Sequence, residues 1–223
     1  MNFGVLFLYA PSLLSGFAVT LACWAAGGAL GLALGFALAL ASRAPYGGVR
    51  WVVRAYVEVF RGTPFLVQLF LLYAGGPSIG LKLSATAAGI LGLGLYSSAY
   101  FAEIFRAGFA AVPTGLTEAA ACVGMAPFDV MRRVTLPAAL VSSVPAIVNT
   151  LIVLSKETVV LSIITVPELM YQAQTMAAET FTAFEAIFAL ALFYWLLVET
   201  ASRLGRIAEG RTTQFLNREA KPA

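Results

Sequence analysis

The residues best placed to do chemistry lie at the end of an uncharged run, 134–155, where Asn149, Thr150 and Ser155 lead into Lys156-Glu157-Thr158. Ionisable groups at membrane depth are costly and face a cavity or one another. Here a Glu157 carboxylate can meet a cationic group, and Lys156, backbone amides or the Thr63 hydroxyl can meet an anionic one through charge-assisted hydrogen bonds. The other reading of Lys156 and Glu157 is a pair that snorkels at the outer interface. Bond-making chemistry has no comparable candidates. The chain has no histidine, and its two cysteines, Cys23 and Cys122, are far apart in sequence, which excludes a Cys/His metal site and a nucleophile–histidine pair. There is no G-x-x-x-x-G-K-[ST] phosphate loop. No catalytic residue and no metal ligand is expected.

These polar groups need apolar elements to hold them. With 60% hydrophobic and 11% charged residues among 223, and a mean hydropathy of +0.87, the chain reads as an all-α integral membrane protein. Uncharged runs at 1–42, 62–81, 83–102, 134–155 and 186–198 predict five transmembrane helices in one domain spanning 1–223. Their expected extents are roughly 11–41, 55–74, 83–105, 136–155 and 184–204. The opening run lacks the basic start and the shortness of a cleaved signal peptide. The ten uncharged residues 158–167 are too few to cross alone, so an extra short helix within 158–178 stays open. Five spans place twelve of the 14 Lys and Arg on one face, leaving Lys82 and Lys156, and this positive-inside pattern predicts the N-terminus outside and the C-terminus in the cytoplasm.

Within these elements, Gly27, Gly28, Gly31 and Gly35 form two Gly-x-x-x-Gly spacings that favour close helix approach, with packing inside one subunit preferred over a dimer seam. Glu58 with Arg61, and Glu103 with Arg106, are spaced to neutralise one another on a helix face. In Arg61-Gly62-Thr63-Pro64 the proline disfavours helical geometry at Thr63, predicting a bent start to the second span.

Between the third and fourth spans lies a polar, basic loop, 106–135, ending in the string EAAACVGMAPFDVMRRVTLP from Glu118 to Pro137. Gly124 allows a sharp change of direction and Pro127 suits the start of a second short helix, so the loop predicts a compact knob that docks another protein. The spacing E-A-A, three residues, glycine, nine residues, then Val134-Thr135-Leu136-Pro137 resembles the EAA loop of importer-type ABC transporter permeases. Val134 stands where that family more often has isoleucine. The resemblance implies that Glu118, Ala119, Ala120, Gly124 and Met125 contact a cytoplasmic ATPase subunit, which binds the ATP and Mg that this chain cannot.

Further stretches sharpen the likeness to the polar amino-acid branch, which handles histidine, glutamine, glutamate and arginine: RGTP followed by LVQ, Tyr96-Ser97-Ser98-Ala99-Tyr100, Val112-Pro113, and Lys156-Glu157-Thr158 through Val166-Pro167-Glu168-Leu169. That branch more often has Asp-Thr-Ser after the lysine, where this chain has Glu157-Thr158-Val159. The resemblance implies a non-enzymatic permease subunit of an ATP-driven importer in the bacterial cytoplasmic (inner) membrane, moving a polar amino acid or close derivative by alternating access. Its expected substrate contacts are Glu157, Lys156, Thr158, Asn149 and Thr63. Expected partners are two ATPase subunits, a second identical or similar permease, an extracytoplasmic solute-binding protein and membrane lipid, with no nucleic acid. The alternative is an ion-coupled secondary amino-acid transporter, disfavoured because no internal repeat encloses a pathway.

Overall fold

A computed structural model describes residues 3–217, and among them every regular element is helical. Arg218 and Lys221, counted above for orientation, lie outside the described residues. The order is α1 (Phe3–Ala41), α2 (Gly47–Gly62), α3 (Phe65–Phe70), α4 (Ala85–Ala110), α5 (Thr114–Cys122), α6 (Pro127–Val130), α7 (Leu136–Glu157), α8 (Leu169–Thr180) and α9 (Ala183–Asn217). Four stretches are long and apolar enough to cross a membrane: Gly4–Ala41, Ala85–Ala110, Pro127–Ile164 and Ala183–Gly210. A fifth is reached if Gly47–Gly62 and Phe65–Ile79 count as one span, bent by 108°.

That bend falls at the Thr63-Pro64 break. Pro64 has no N–H to continue the ladder, and both residues adopt extended backbone. The Gln68 side-chain amide then closes the corner, donating to the Phe60 carbonyl at 2.9 Å, the Thr63 carbonyl at 3.0 Å and the Thr63 hydroxyl at 2.8 Å. The second expected span, 55–74, is therefore two helices meeting at a corner.

The bundle is built on α1 against α4, and glycine decides how close they come. A Cβ on Gly31 would sit 2.0 Å from Ser97 Oγ, and one on Gly35 would sit 2.5 Å from Phe101 Cβ and 2.9 Å from the Ser98 carbonyl oxygen. Gly94 of α4 returns the fit by receiving Leu30. The spacing thus serves packing within one chain, and Gly28 adds a seat for Leu151 of α7. Trp24 pins the same pair of helices through its indole N–H to the Leu151 carbonyl, 2.8 Å. Cys23 is buried in this core and Cys122 is exposed in α5, both as free thiols.

After α7 the chain does not run straight on. A 3-10 segment, Thr158–Ile164, ends on Thr165 in the left-handed region (φ 63°), and α8 packs back against α1. Its 12 residues span about 18 Å, short of a crossing. This is the extra element the sequence left open at 158–178.

Candidate functional site

Two faces, one on α4 and one on α7, form a polar cleft. Tyr96 and Tyr100 are one turn apart and share a face, as do Asn149 and Val153, with Thr150 and Leu154 beside them. Together with Ser97 they line a cleft of about 240 Å³. The Tyr96 hydroxyl donates to that of Tyr100 at 3.2 Å. At Tyr100, Asn149 and Thr150 the cleft borders a wider cavity of about 530 Å³, to which Arg61, Glu103, Arg106, Ser142 and Ser143 contribute. Glu103 and Arg106 pair bidentately at 2.9 and 2.7 Å, as their spacing predicted. Arg61 departs from expectation: it forms no ion pair with Glu58, and its guanidinium lies 5.4 Å above the Tyr100 ring of α4. The result is a small, mainly apolar-walled chamber with aromatic faces, one amide and a few hydroxyls, opening onto a mouth with an ion pair and a stacked cation.

The sequence-expected contacts separate here. Asn149 lines the cleft and is exposed to it. Glu157 does not line the cleft and lies half-buried at the far end of α7. Nor does Thr63 line it: its hydroxyl donates to the Val59 carbonyl at 2.8 Å, accepts from Gln68, and borders a separate apolar cavity with Val67 and Leu72. Thr158 does not line the cleft either: it is fully buried, and its hydroxyl donates to the Ser155 carbonyl at 2.8 Å and lies 3.0 Å from the Tyr194 hydroxyl. The 3-10 geometry starting at Thr158 turns it into the bundle. Lys156 points outward and makes no ion pair among the described residues. Sequence reasoning assigned Tyr96 and Tyr100 to a motif without giving them a role. Their i, i+4 spacing was the available signal, but it acquires meaning only once α7 is known to face α4.

The loop between α4 and α7 folds into the expected knob. Helix α5 ends at Gly124, which takes φ 80°, and the Met125 N–H closes onto the Ala120 carbonyl at 3.2 Å. Pro127 occupies the first turn of α6, and Asp129 pairs with Arg133 at 3.2 Å one turn later. Glu118, Ala119 and Gly124 are exposed, and Met125 is half-buried against a cleft it shares with Thr117 and Met131. Ala120, also expected at the contact surface, is buried, and its small side chain lets α5 sit down on the rest of the knob. The exposed tip is more apolar than the motif alone indicates, with Val123 77% and Phe128 72% exposed and Leu116 beside them in α5. Such exposure at a polar loop marks an interaction surface.

Comparisons with known proteins agree with one another. Residues 31–214 match the family described as binding-protein-dependent transport system inner membrane component. The chain is 34% identical over 200 residues to the arginine transport system permease protein ArtQ of Bacillus subtilis, covering 89% of this chain and 91% of that one. It is 36% identical over 180 residues to a putative glutamine transport system permease protein GlnP of Rickettsia felis, covering 80% and 83%. In three dimensions it superposes with a TM-score of 0.89 and 36% identity on a chain of a crystal structure of an amino acid ABC transporter with histidines, covering 95% of this chain and 99% of that one.

Proposed function

Because the chain belongs to the family of binding-protein-dependent transport system inner membrane components and is an amino-acid ABC transporter permease subunit, we propose that it moves a polar amino acid through the α4–α7 cleft by ATP-driven alternating access. The observation that carries this reading is one of connectivity. The helices that wall the cleft, α4 and α7, are joined by the knob itself, α5 and α6, so displacing the knob displaces both walls. A partner ATPase subunit, holding ATP and Mg, seats the apolar tip at Val123 and Phe128. A pair of such subunits closing on nucleotide draws the two knobs of a permease dimer together. Coupling then passes through rigid helices with two packings.

In the cleft, an amino acid's ammonium lies over the Tyr96 and Tyr100 rings and near Glu157, while its carboxylate accepts from Asn149 and Thr150. Lys156 screens the outer approach. The Arg-rich end, with the knob, faces the cytoplasm of a bacterium, and a solute-binding protein delivers cargo at the opposite face of the inner membrane. Uptake of a panel of radiolabelled amino acids, with Phe128→Asp and Glu157→Gln compared to the unaltered chain, tests both halves. Phe128→Asp is expected to lose the copurifying ATPase and all uptake. Glu157→Gln is expected to keep the ATPase while weakening or re-ranking uptake. Full uptake with Phe128→Asp sinks the coupling reading, and uptake unchanged in both rate and preference with Glu157→Gln sinks the site.

A further inference from the structure

The most strongly charged recess of the molecule adjoins the mouth of the cleft, with which it shares Arg61, Glu103 and Arg106. It has a volume of about 530 Å³ and lies between the polar face of α2, the end of α1 and the last turns of α4. Five arginines, Arg43, Arg50, Arg54, Arg61 and Arg106, line it against two acidic residues, Glu58 and Glu103, an excess of three positive charges. Glu103 is already engaged by Arg106, so the excess is not neutralised from within. Two of the arginines are held in place: Arg50 donates to the Ala44 and Pro45 carbonyls at 2.9 and 3.1 Å, and Arg43 lies 4.8 Å over the Phe109 ring. Arg54 makes no ion pair among the described residues.

Helix α2 supplies the second half of the argument. Arg50, Arg54, Glu58 and Arg61 recur at spacings of four, four and three and form one face, which borders the recess. Beside that face Val53 and Val57 line the recess and bury against Ala102, while Trp51, Val52 and Val59 of α2, and Tyr46 just before it, are all more than half exposed. The 108° corner sends α3 off almost perpendicular to α2. A helix with an arginine face, exposed apolar residues including Trp51 with Tyr46 at its entry, and an axis crossing that of the next span has the build of an element lying in the membrane interface.

We propose that this recess binds the phosphate of an anionic phospholipid headgroup, whose acyl chains lie along Trp51, Val52 and Val59. Basic pockets between helices at the interface suit such headgroups, and the apolar flank distinguishes a lipid from a free anion. The site meets the mouth of the transport cleft at Arg61, Glu103 and Arg106, whereas Arg43, Arg50 and Arg54 lie outside that cleft.

The test is native mass spectrometry of the full chain, with its copurifying subunits, after exchange into phosphatidylglycerol or phosphatidylcholine. The unaltered protein is expected to retain phosphatidylglycerol preferentially. Arg43→Gln and Arg54→Gln should each reduce that preference roughly fivefold, with Arg54→Lys largely restoring it. Lys82→Gln, on a loop outside the recess, should have no effect. Equal retention of the two lipids by the unaltered protein, a measurement that needs no variant, overturns the proposal, as does a preference untouched by Arg54→Gln. Calorimetric binding of inorganic phosphate to delipidated protein, at an affinity that depends on Arg54 and without lipid preference, overturns it in favour of a free anion.

Discussion

Thr20 of α1 and Glu168, at the start of α8, meet deep in the bundle. The Thr20 hydroxyl oxygen accepts the Leu169 N–H at 3.1 Å, and its hydrogen is within reach of the Glu168 carboxylate at 3.4 Å and the Gly16 carbonyl at 3.1 Å. Glu168 is fully buried and caps α8 through the N–H groups of Met170 and Tyr171, both at 2.9 Å. The reversal after α7 is thus held by a carboxylate that satisfies two orphan donors of a helix start and by a threonine one helix away.

Thr20→Val keeps the volume, but leaves the Leu169 N–H without its partner inside the bundle. We expect a loss of about 1–3 kcal/mol. Glu168→Ala should cost more, since it uncovers two further N–H groups and leaves a cavity. Unfolding of the purified protein in micelles, followed by circular dichroism, measures both. Equal stability of Thr20→Val and the unaltered chain would show that the contact contributes nothing.

Gly35→Ala forces a methyl group to within 3.0 Å of backbone atoms of α4, the Ser98 oxygen at 2.9 Å and the Ala102 nitrogen at 3.0 Å, besides Phe101 Cβ at 2.5 Å. Backbone cannot rotate aside, so α1 and α4 must separate, at a cost of about 1–3 kcal/mol. Gly48→Ala is the matched control, because a methyl group there meets nothing within 4 Å. A melt in which the two variants behave alike would refute the close-approach account.

Much of this was legible before any coordinates. The glycine spacing from Gly27 to Gly35 announced a tight helix pair because only small residues allow one in lipid, and Thr63-Pro64 announced a break because proline cannot donate. The knob was visible in Gly124 and Pro127 for the same local reasons. The cleft was not. Whether Asn149 or Thr158 faces a cavity depends on the rotation of α7 against α4 and on the 3-10 turn at Thr158, neither of which is encoded in a single segment's pattern. Glu168 lay in a recognised string, yet its burial follows from α8 folding back on α1, a long-range contact. Glu58 and Arg61 had the right spacing for a pair, and the Tyr100 ring of α4, a long-range neighbour, takes the guanidinium instead.

Asn149→Ala removes an amide from the narrow part of the cleft without disturbing any hydrogen bond that holds the fold together, so stability should stay within about 0.5 kcal/mol of the parent. If the amide orients a substrate carboxylate, KM for uptake rises about five- to tenfold, the equivalent of one ordinary hydrogen bond. Uptake kinetics in proteoliposomes read the effect, and an unaltered KM would remove Asn149 from the site.

The knob gives a prediction in which folding and coupling separate. Gly124 holds φ 80°, a left-handed conformation that costs a side-chain-bearing residue about 1–2 kcal/mol, although a methyl group there would touch nothing within 4 Å. Gly124→Ala should therefore loosen the angle between α5 and α6 by strain alone, weakening ATPase retention while leaving the spans intact. Phe128→Ala acts oppositely: the ring is 72% exposed, so its loss should barely change stability, but it strips the docking tip of apolar area. Measured side by side, Gly124→Ala should lower both the loop's protection from proteolysis and the copurified ATPase, and Phe128→Ala only the latter. If Phe128→Ala retains the ATPase in full, the exposed tip is not where the partner sits, and the displacement of α4 and α7 must be driven from elsewhere on the loop.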